Sequence, residues 1–369
     1  MKSRQMKIDI IAGTRPNFIK IAPIVQNIDK TIKNSKKTVI YRIIHTGQHY
    51  DRNMSESFFN ELNIPEPDNN LNVGSGAQGE QTAKIMIAYE NILNNGELPD
   101  LCIVVGDVNS TMACSIVAKK KGMKVAHIEG GIRSGDLTMP EEINRIITDS
   151  ITDYFFTTSK IANTNLINCS IPKERIFFVG NTMIDSLLKF RNKFKKPKLW
   201  DEINLKKKNY ILLTLHRPAN VDKTTKLKQL IFEIIANSRG LPIVFPAHPR
   251  TKKILDLSII DNPNLFIVEP LSYLEFNYLV ERCKGVVTDS GGVSEETTVM
   301  NIPCMTFRNN TERPETVDMG TNVLLTTDIK AIKPAMEILF ANKWKNSRIP
   351  PLWDGKASKR IVQELIKFG

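Results

Sequence analysis

The sequence has no apolar run long enough to span a bilayer, and its 369 residues include only five cysteines and five histidines. The first absence excludes a helical membrane protein. The cysteines, Cys102, Cys114, Cys169, Cys283 and Cys304, are odd in number and show no C-x-x-C spacing, so reduced structural thiols are expected. The N-terminal MKSRQMKIDIIAG runs straight into a strand pattern without a signal-peptide cleavage region, which predicts a cytoplasmic protein. The formal net charge of +12 lies in scattered lysines and one basic stretch without aromatic interleaving. That pattern predicts a solvated basic surface and no nucleic-acid partner.

What is present is ordinary globular material, 41% hydrophobic and 24% charged, long enough for two full cores. The densest chemistry lies between Leu101 and Arg145. Two apolar runs, Leu101 to Val105 and Val125 to Ile128, flank a segment with Ala113, Ile116 and Val117 at helical spacing, which predicts a right-handed βαβ unit. Each run leads to an acid: Asp107 follows Gly106, and Glu129 precedes Gly130 and Gly131. Ligands of open parallel sheets bind outside the carboxyl ends of the strands, so both acids are candidates for one site. Glu141 and Glu142 open the next helix after Pro140. His127, two residues before Glu129 on a strand, is expected on the same face.

Met6 to Ala12 reads as the first strand, and Gly13-Thr14-Arg15-Pro16 turns into a helix with Pro16 in its first turn. Arg15 is then either a surface cation or an anion contact. A second strand, Val39 to Ile44, ends in His45-Thr46-Gly47-Gln48-His49, where Gly47 argues against a metal pair. Asn70 to Gln81 reads as a mobile loop before a helix from Thr82 to Leu93. Further strands are expected at Tyr154 to Thr158 and Ile176 to Val179, with Asn181 capping a helix.

Between Arg191 and Lys208 the chain turns basic without a clean apolar period, and a domain boundary is placed there. The division is thus 1–190, a linker at 191–208, a second domain at 209–355, and a C-terminal helix at 356–369 that can pack back on the first domain. Strands at Tyr210 to Leu215, Pro242 to Phe245, Leu265 to Val268, Gly285 to Thr288 and Pro303 to Phe307 alternate with helical patterns. The fold class is α/β: two doubly wound Rossmann-like domains facing a central cleft, the glycosyltransferase-B-like arrangement. His45, His127, His216 and His248 fall near predicted strand ends, although a structural histidine is the commoner case for each. In the second half, Asp289-Ser290-Gly291-Gly292 leads from a strand into a helix, a setting that suits a diphosphate. Glu296 stabilises the helix dipole or accepts ribose hydroxyls, and Arg313 follows the next strand as a bidentate donor.

The motifs GTRPNFIKIAP, VVGDVNST, HIEGGIRSGD, MPEEINR, GNTMID, TDSGGVSEE and RNNTERPE, in that order, resemble the non-hydrolysing UDP-N-acetylglucosamine 2-epimerases over essentially the whole chain. The resemblance implies reversible inversion at C2 by elimination of UDP, passage through bound 2-acetamidoglucal, and re-addition, in supply of a surface polysaccharide precursor. It implies Asp107, Glu129 and Glu141 as acid/base groups, His216 near the leaving phosphate, and Lys20 and Arg15 as cations of the first domain. It also implies Ser290, Gly291 and Gly292 at the diphosphate, Glu296 at the ribose, Arg313 in support, Phe276 beside the uracil, and Gln48 at a substrate-activation site. For Phe276 a helix-core role competes. No metal or redox cofactor is required, since no hydride moves, and a homodimer is the family expectation. The alternatives are an epimerase of a modified UDP-hexosamine, a hydrolysing relative that releases UDP, and a glycosyltransferase on the same scaffold. EGGIR and LTLHRPANVD depart from the commoner family pattern and keep the modified substrate in view.

Overall fold

The computed structural model describes residues 5–34, 39–47, 58–59, 61–222, 224–247, 251–252 and 262–368. They form two compact units, one of residues 1–189 with 351–369 and one of residues 190–350. The strands of the first unit are β1 (Met6–Ala12), β2 (Val39–His45), β3 (Asn69–Asn70), β4 (Leu101–Val105), β5 (Lys124–Ile128), β6 (Tyr154–Thr157) and β7 (Ile176–Phe178). Its helices are α1 (Arg15–Asn34), α2 (Gln78–Asn94), α3 (Asn109–Lys120), α4 (Pro140–Ile151), α5 (Lys160–Asn168) and α6 (Thr182–Phe190). The second unit contains α7 (Leu199–Glu202), β8 (Ile211–Thr214), α8 (Pro218–Val221), α9 (Thr224–Asn237), β9 (Ile243–Pro246), β10 (Leu265–Val268) and α10 (Tyr273–Arg282). It continues through β11 (Gly285–Thr288), α11 (Gly291–Met300), β12 (Cys304–Thr306), α12 (Pro314–Asp318), β13 (Asn322–Leu324) and α13 (Ile332–Phe340). The last helix, α14 (Ala357–Leu365), belongs to the first unit.

Each unit is built on one parallel sheet, ordered β3-β2-β1-β4-β5-β6-β7 in the first and β10-β9-β8-β11-β12-β13 in the second. The strand order therefore reverses between β1 and β4 and again between β8 and β11, and these switch points are where ligands of doubly wound sheets bind. Buried strands of such sheets read as continuous apolar runs because helices cover both faces. All five residues of β4 are buried, and Val104 and Cys102 pack with Ile85 and Tyr89 of α2 and Val117 of α3. In the second unit Leu213, Val287 and Met305 pack against Leu227 and Ile231 of α9 and Met336 of α13. Burying one such leucine or isoleucine side chain contributes roughly 1.5–3 kcal/mol.

Three sequence expectations change. The stretch 191–208 is not a free linker but part of the second unit, because Leu199 and Leu205 are buried and Trp200 meets Tyr210 and Tyr278 edge-on, while its lysines point outward. The segment expected as a loop through Gln81 is shorter, since α2 starts at Gln78 and Leu71, Val73 and Gly74 donate to the backbone of His45, Thr46 and Gly47. The strand β13 was not foreseen, being three residues long at the sheet edge. The C-terminal helix packs along α1, and Asp185 caps it by accepting from Ala357 N at 3.0 Å and Ser358 N at 2.7 Å. Among the described residues no helix is long and apolar enough to cross a membrane.

Candidate functional site

In the first unit the polar groups collect on the loops leaving β1, β4 and β5 and on the first turns of α4. The loop after β1 is fixed by Asn17, whose carbonyl accepts from Gly13 N and Thr14 N while its amide donates to the Val105 carbonyl at the end of β4. One turn on from Asn17, Lys20 projects the same way. Its ammonium lies 2.7 Å from Glu129 Oε2, with both side chains buried. Glu129 sits just past β5 with φ +71°, in the left-handed region that costs a non-glycine residue about 1 kcal/mol or more. Such an outlier is a pointer to function. Gly131, two residues on, also has positive φ, and a Cβ there would lie 2.4 Å from the Ala162 carbonyl, so only glycine fits.

Asp107 follows the turn after β4 and is partly exposed. Its Oδ2 accepts from Arg145 Nε at 3.1 Å and Nη2 at 2.6 Å. Arg145 is buried on α4, three residues after Glu142, and bonds that carboxylate as well. Glu142 in turn accepts from Ser134 N and Oγ and from Gly135 N. Burial pushes the Glu142 carboxyl up, but the Ser134 N–H, the Arg145 guanidinium and the Gly135 N–H outweigh it and hold it below the ordinary glutamate range. Glu142, Arg145 and Asp149 share one helix face, and Glu141, a residue earlier, points elsewhere. It lines a cavity of about 350 Å³ with Thr14, Gln78, Gln81, Asn109 and Asn144 among its walls. Asn109 donates to Gln78 and Gln81, and Asn144 donates to Asn109 and to the Asp107 carbonyl.

β5 ends at Ile128, and the left-handed Glu129 lies outside the strand alternation that was expected to set it on one face with His127. The ring is buried between Asp149 and the Gly106 carbonyl. His45 is likewise buried, edge-on to Phe18 at 5.0 Å. Arg15 lies over the Phe58 ring. Gln48, His49 and His248 lie outside the described residues.

In the second unit the loop after β8 is fixed by Asp289, buried at the end of β11. It accepts from His216 N, Arg217 N and the Asn220 amide, and from His216 Nδ1 at 2.9 Å. Burial pushes the Asp289 carboxyl up, and His216, Asn220 and the Arg217 N–H outweigh it, so it is held below the ordinary aspartate range. The His216 ring is otherwise exposed. Ser290 is the N-cap of α11 without using its side chain as a cap, so Gly291 and Gly292 begin the helix. Their N–H groups stand at the positive end of the helix dipole.

Arg308, buried after β12, donates through Nη2 to Glu312 at 2.5 Å and has no hydrogen-bond partner at Nη1 among the described residues. That Nη1 lies 3.7 Å from where a Gly291 side chain would begin. Arg313 is buried against Glu295. Glu296 is buried beside the Asn277 amide, and Phe276 is half-buried on α10.

Sequence reasoning missed Asn17, Arg145, Asp149 and Arg308. Arg145 could have been found as the cation three residues after Glu142, and Arg308 as the first cation after a strand end, the place Arg15 holds after β1. Among the described residues no group of three or more His, Cys, Asp or Glu side chains is placed to hold a metal.

Residues 30–366 match the sequence model of a family described as UDP-N-acetylglucosamine 2-epimerase. The chain is 44% identical to the UDP-N-acetylglucosamine 2-epimerase of Methanocaldococcus jannaschii, covering 98% of this chain and 99% of that protein. It is 38% identical to the UDP-2,3-diacetamido-2,3-dideoxy-D-glucuronate 2-epimerase of Pseudomonas aeruginosa, over 98% of this chain and all of that protein. A crystal structure of the M. jannaschii UDP-GlcNAc 2-epimerase in complex with UDP-GlcNAc and UDP superposes with a TM-score of 0.89 at 42% identity, over 99% of this chain and 100% of that one. The Medicago truncatula UGT71G1, complexed with UDP-glucose, is similar in fold alone, with a TM-score of 0.60 at 9% identity over 99% and 98% of the chains.

Proposed function

The chain belongs to the UDP-N-acetylglucosamine 2-epimerase family, and from that premise we propose that it inverts UDP-N-acetylglucosamine reversibly at C2, giving UDP-N-acetylmannosamine. The C2 hydrogen of a hexose has no adjacent carbonyl to acidify it, so simple deprotonation at neutral pH is very unfavourable. Elimination avoids this. A base takes the C2 proton, its electron pair forms the C1–C2 double bond, and the C1–oxygen bond breaks with its electrons on the β-phosphate of UDP. Re-addition of that oxygen at C1, with protonation of C2 from the other face, completes the inversion.

The observation that carries this reading is the set of acids at the strand ends of the first unit, each held by a buried cation: Glu129 by Lys20 and Asp107 by Arg145. Glu129, Asp107 and Glu141 are the acid/base groups, and Lys20 and Arg15 supply positive charge there. On the second unit Ser290 and the N–H groups of Gly291 and Gly292 take the diphosphate, with His216 near the leaving oxygen. Arg308 adds a guanidinium beside Gly291. Glu296 accepts the ribose hydroxyls, Phe276 lies beside the uracil, and Arg313, buried against Glu295, is a supporting contact. Gln48 is assigned to substrate activation on the resemblance alone.

Proton NMR with UDP-N-acetylglucosamine in deuterated water tests the reading. UDP-N-acetylmannosamine carrying deuterium at C2, with little free UDP, is the expected result. Free UDP with free N-acetylmannosamine makes the enzyme a hydrolysing one, and no exchange at C2 removes the reading. The resemblance to the P. aeruginosa protein favours a second substrate, a diacetamido uronate, and faster exchange on that sugar would move the assignment to it.

The exposed Ile87 on α2 and Ile143 and Ile146 on α4 support a homodimer, checked by sedimentation of the wild type against Ile143→Lys. The five free cysteines, four of them buried, accord with a cytoplasmic location, which cell fractionation checks.

A further inference from the structure

His127 stands on β5 between Val104 of β4 and Phe155 of β6 and is 1% exposed. Its Nε2 lies 2.7 Å from the Gly106 carbonyl oxygen, and its Nδ1 lies 2.7 Å from Asp149 Oδ1. A carbonyl only accepts. Asp149 behaves as an ionised carboxylate, because its other oxygen accepts from Gly131 N at 3.0 Å and Arg133 Nη1 at 2.6 Å. Burial pushes its carboxyl up, but the His127 ring and the Arg133 guanidinium outweigh that and hold it below the ordinary aspartate range. A neutral imidazole has one N–H and one lone pair, so one of the two contacts would set lone pair against lone pair. Two N–H groups satisfy both.

The two partners of this ring are the supports of the acids. Gly106 precedes Asp107, and the Gly106 carbonyl fixes the peptide plane that leads into it. Asp149 fixes Gly131, two residues past Glu129, and belongs to the helix that carries Glu141 and Arg145. We propose that His127, held as an imidazolium between the Gly106 carbonyl and Asp149, is a positioning residue that sets the Asp107 turn, the Glu129 loop and α4 relative to one another. The role rests on the epimerase reading, since it acts through those acids. The charged groups facing the ring are Asp149 from α4 and Arg133 from the loop after β5. Beyond Gly106 stand Lys20 from α1 and Glu129, with Lys20 Nζ 3.5 Å and Glu129 Oε2 3.8 Å from the position of a Gly106 Cβ. The faces from β4 and β6 are apolar at Val104 and Phe155.

The test is nitrogen NMR of the full-length protein labelled with 15N-histidine, with the His127 signals assigned by their absence in His127→Gln. Both ring nitrogens are expected at imidazolium positions at neutral pH, and a neutral tautomer would overturn the proposal whatever the substrate. His127→Gln should lower kcat about tenfold or more, as small misplacements of reacting groups do. Its KM should stay within about threefold. Wild-type kcat in a folded His127→Gln protein overturns the positioning role. Should that variant not fold, Asp149→Asn serves instead: it should turn His127 into a neutral tautomer and lower kcat, and an unchanged pair of nitrogens refutes the scheme. A wild type with doubly protonated His127 and no C2 exchange on either UDP-sugar would remove the epimerase reading and leave the imidazolium standing.

Discussion

At the switch point of the first sheet the loop after β1 is fixed by a neutral amide, Asn17, and at that of the second the loop after β8 is fixed by a buried carboxylate, Asp289. The two loops have the same topological duty, and the choice of tie decides what charge is left above the strand ends. With Asn17 the first unit needs no charge for the tie, and its Lys20 and Arg145 are directed at Glu129 and Asp107. With Asp289 the second unit draws the His216 and Arg217 N–H groups inward, and what remains outward is the start of α11 with Arg308 beside it. The first arrangement suits moving protons between carboxylates held beside cations. The second suits holding a diphosphate against fixed donors.

The sharpest way to break this division is to remove single acids from the first unit. Glu129→Gln and Asp107→Asn should each lower turnover at least about a hundredfold, close to 2.7 kcal/mol of barrier, as expected for acid/base groups. UDP affinity, measured by calorimetry, should stay near that of the wild type. Wild-type turnover in both variants would remove the acids from the chemistry, and a parallel loss of UDP affinity would show that the two units do not divide the work.

The next effect concerns Asp289 itself. Asp289→Asn leaves amide hydrogens facing N–H donors inside the second unit and should cost about 1–3 kcal/mol near neutral pH. Its carboxyl is held below the ordinary aspartate range, so the stability it contributes is present above about pH 4 and is lost as pH falls through the lower, folded value. The deficit of Asp289→Asn should therefore shrink on acidification below about pH 4. Trp200 and Trp344 lie in the second unit and Trp353 in the first. A Trp353→Phe background makes tryptophan emission report the second unit alone. An equal deficit at every pH would show that the charge of Asp289 contributes nothing to the tie.

A third effect tests the anion site. A Cβ at Gly291 would lie 2.9 Å from Glu312 Oε1 and 3.7 Å from Arg308 Nη1. Gly291→Val should weaken UDP about tenfold, near 1.4 kcal/mol. Unchanged affinity would move the diphosphate away from α11.

How far the sequence foretold these two sites follows from the kind of signal each residue leaves. Strands such as β4 were legible because a sheet covered on both faces demands an unbroken apolar run, and LCIVV is one. Asp107 and Glu129 were legible because an acid directly after such a run stands at a strand end. The second unit's Ser290-Gly291-Gly292 announced itself the same way. The ties were not legible: Asn17, Arg145, Asp149 and Arg308 are ordinary polar residues whose partners lie far off in sequence, as Asn17 does from Val105. The placing of His127 on one face with Glu129 rested on a weaker signal. Period-two alternation holds only while the chain stays extended, and the left-handed turn at Glu129 ends it. The stretch 191–208 misled because its lysines outnumber its anchors Leu199, Trp200 and Leu205.

The smallest effect separates backbone strain from chemistry within the first unit. Ser170 has φ +62° at the exposed end of α5, where Ile171 N closes the helix onto the Leu166 carbonyl. Glycine takes this conformation without the Cβ penalty, which its greater freedom in the unfolded chain partly offsets. Ser170→Gly should raise the stability of the first unit by about 0.5–1 kcal/mol, or roughly 1–4 °C in the Tm that Trp353 reports once Trp200 and Trp344 are replaced by Phe. C2 exchange should be unchanged. Glu129, at φ +71°, carries the same kind of strain. If relieving it at Ser170 stabilises the unit without touching turnover, then the left-handed turn at Glu129 is kept for the carboxylate it aims at Lys20, and not because this unit tolerates such turns at no cost. A destabilised Ser170→Gly would mean that chain entropy outweighs the Cβ penalty in this unit, and the conformation of Glu129 would then call for no functional explanation.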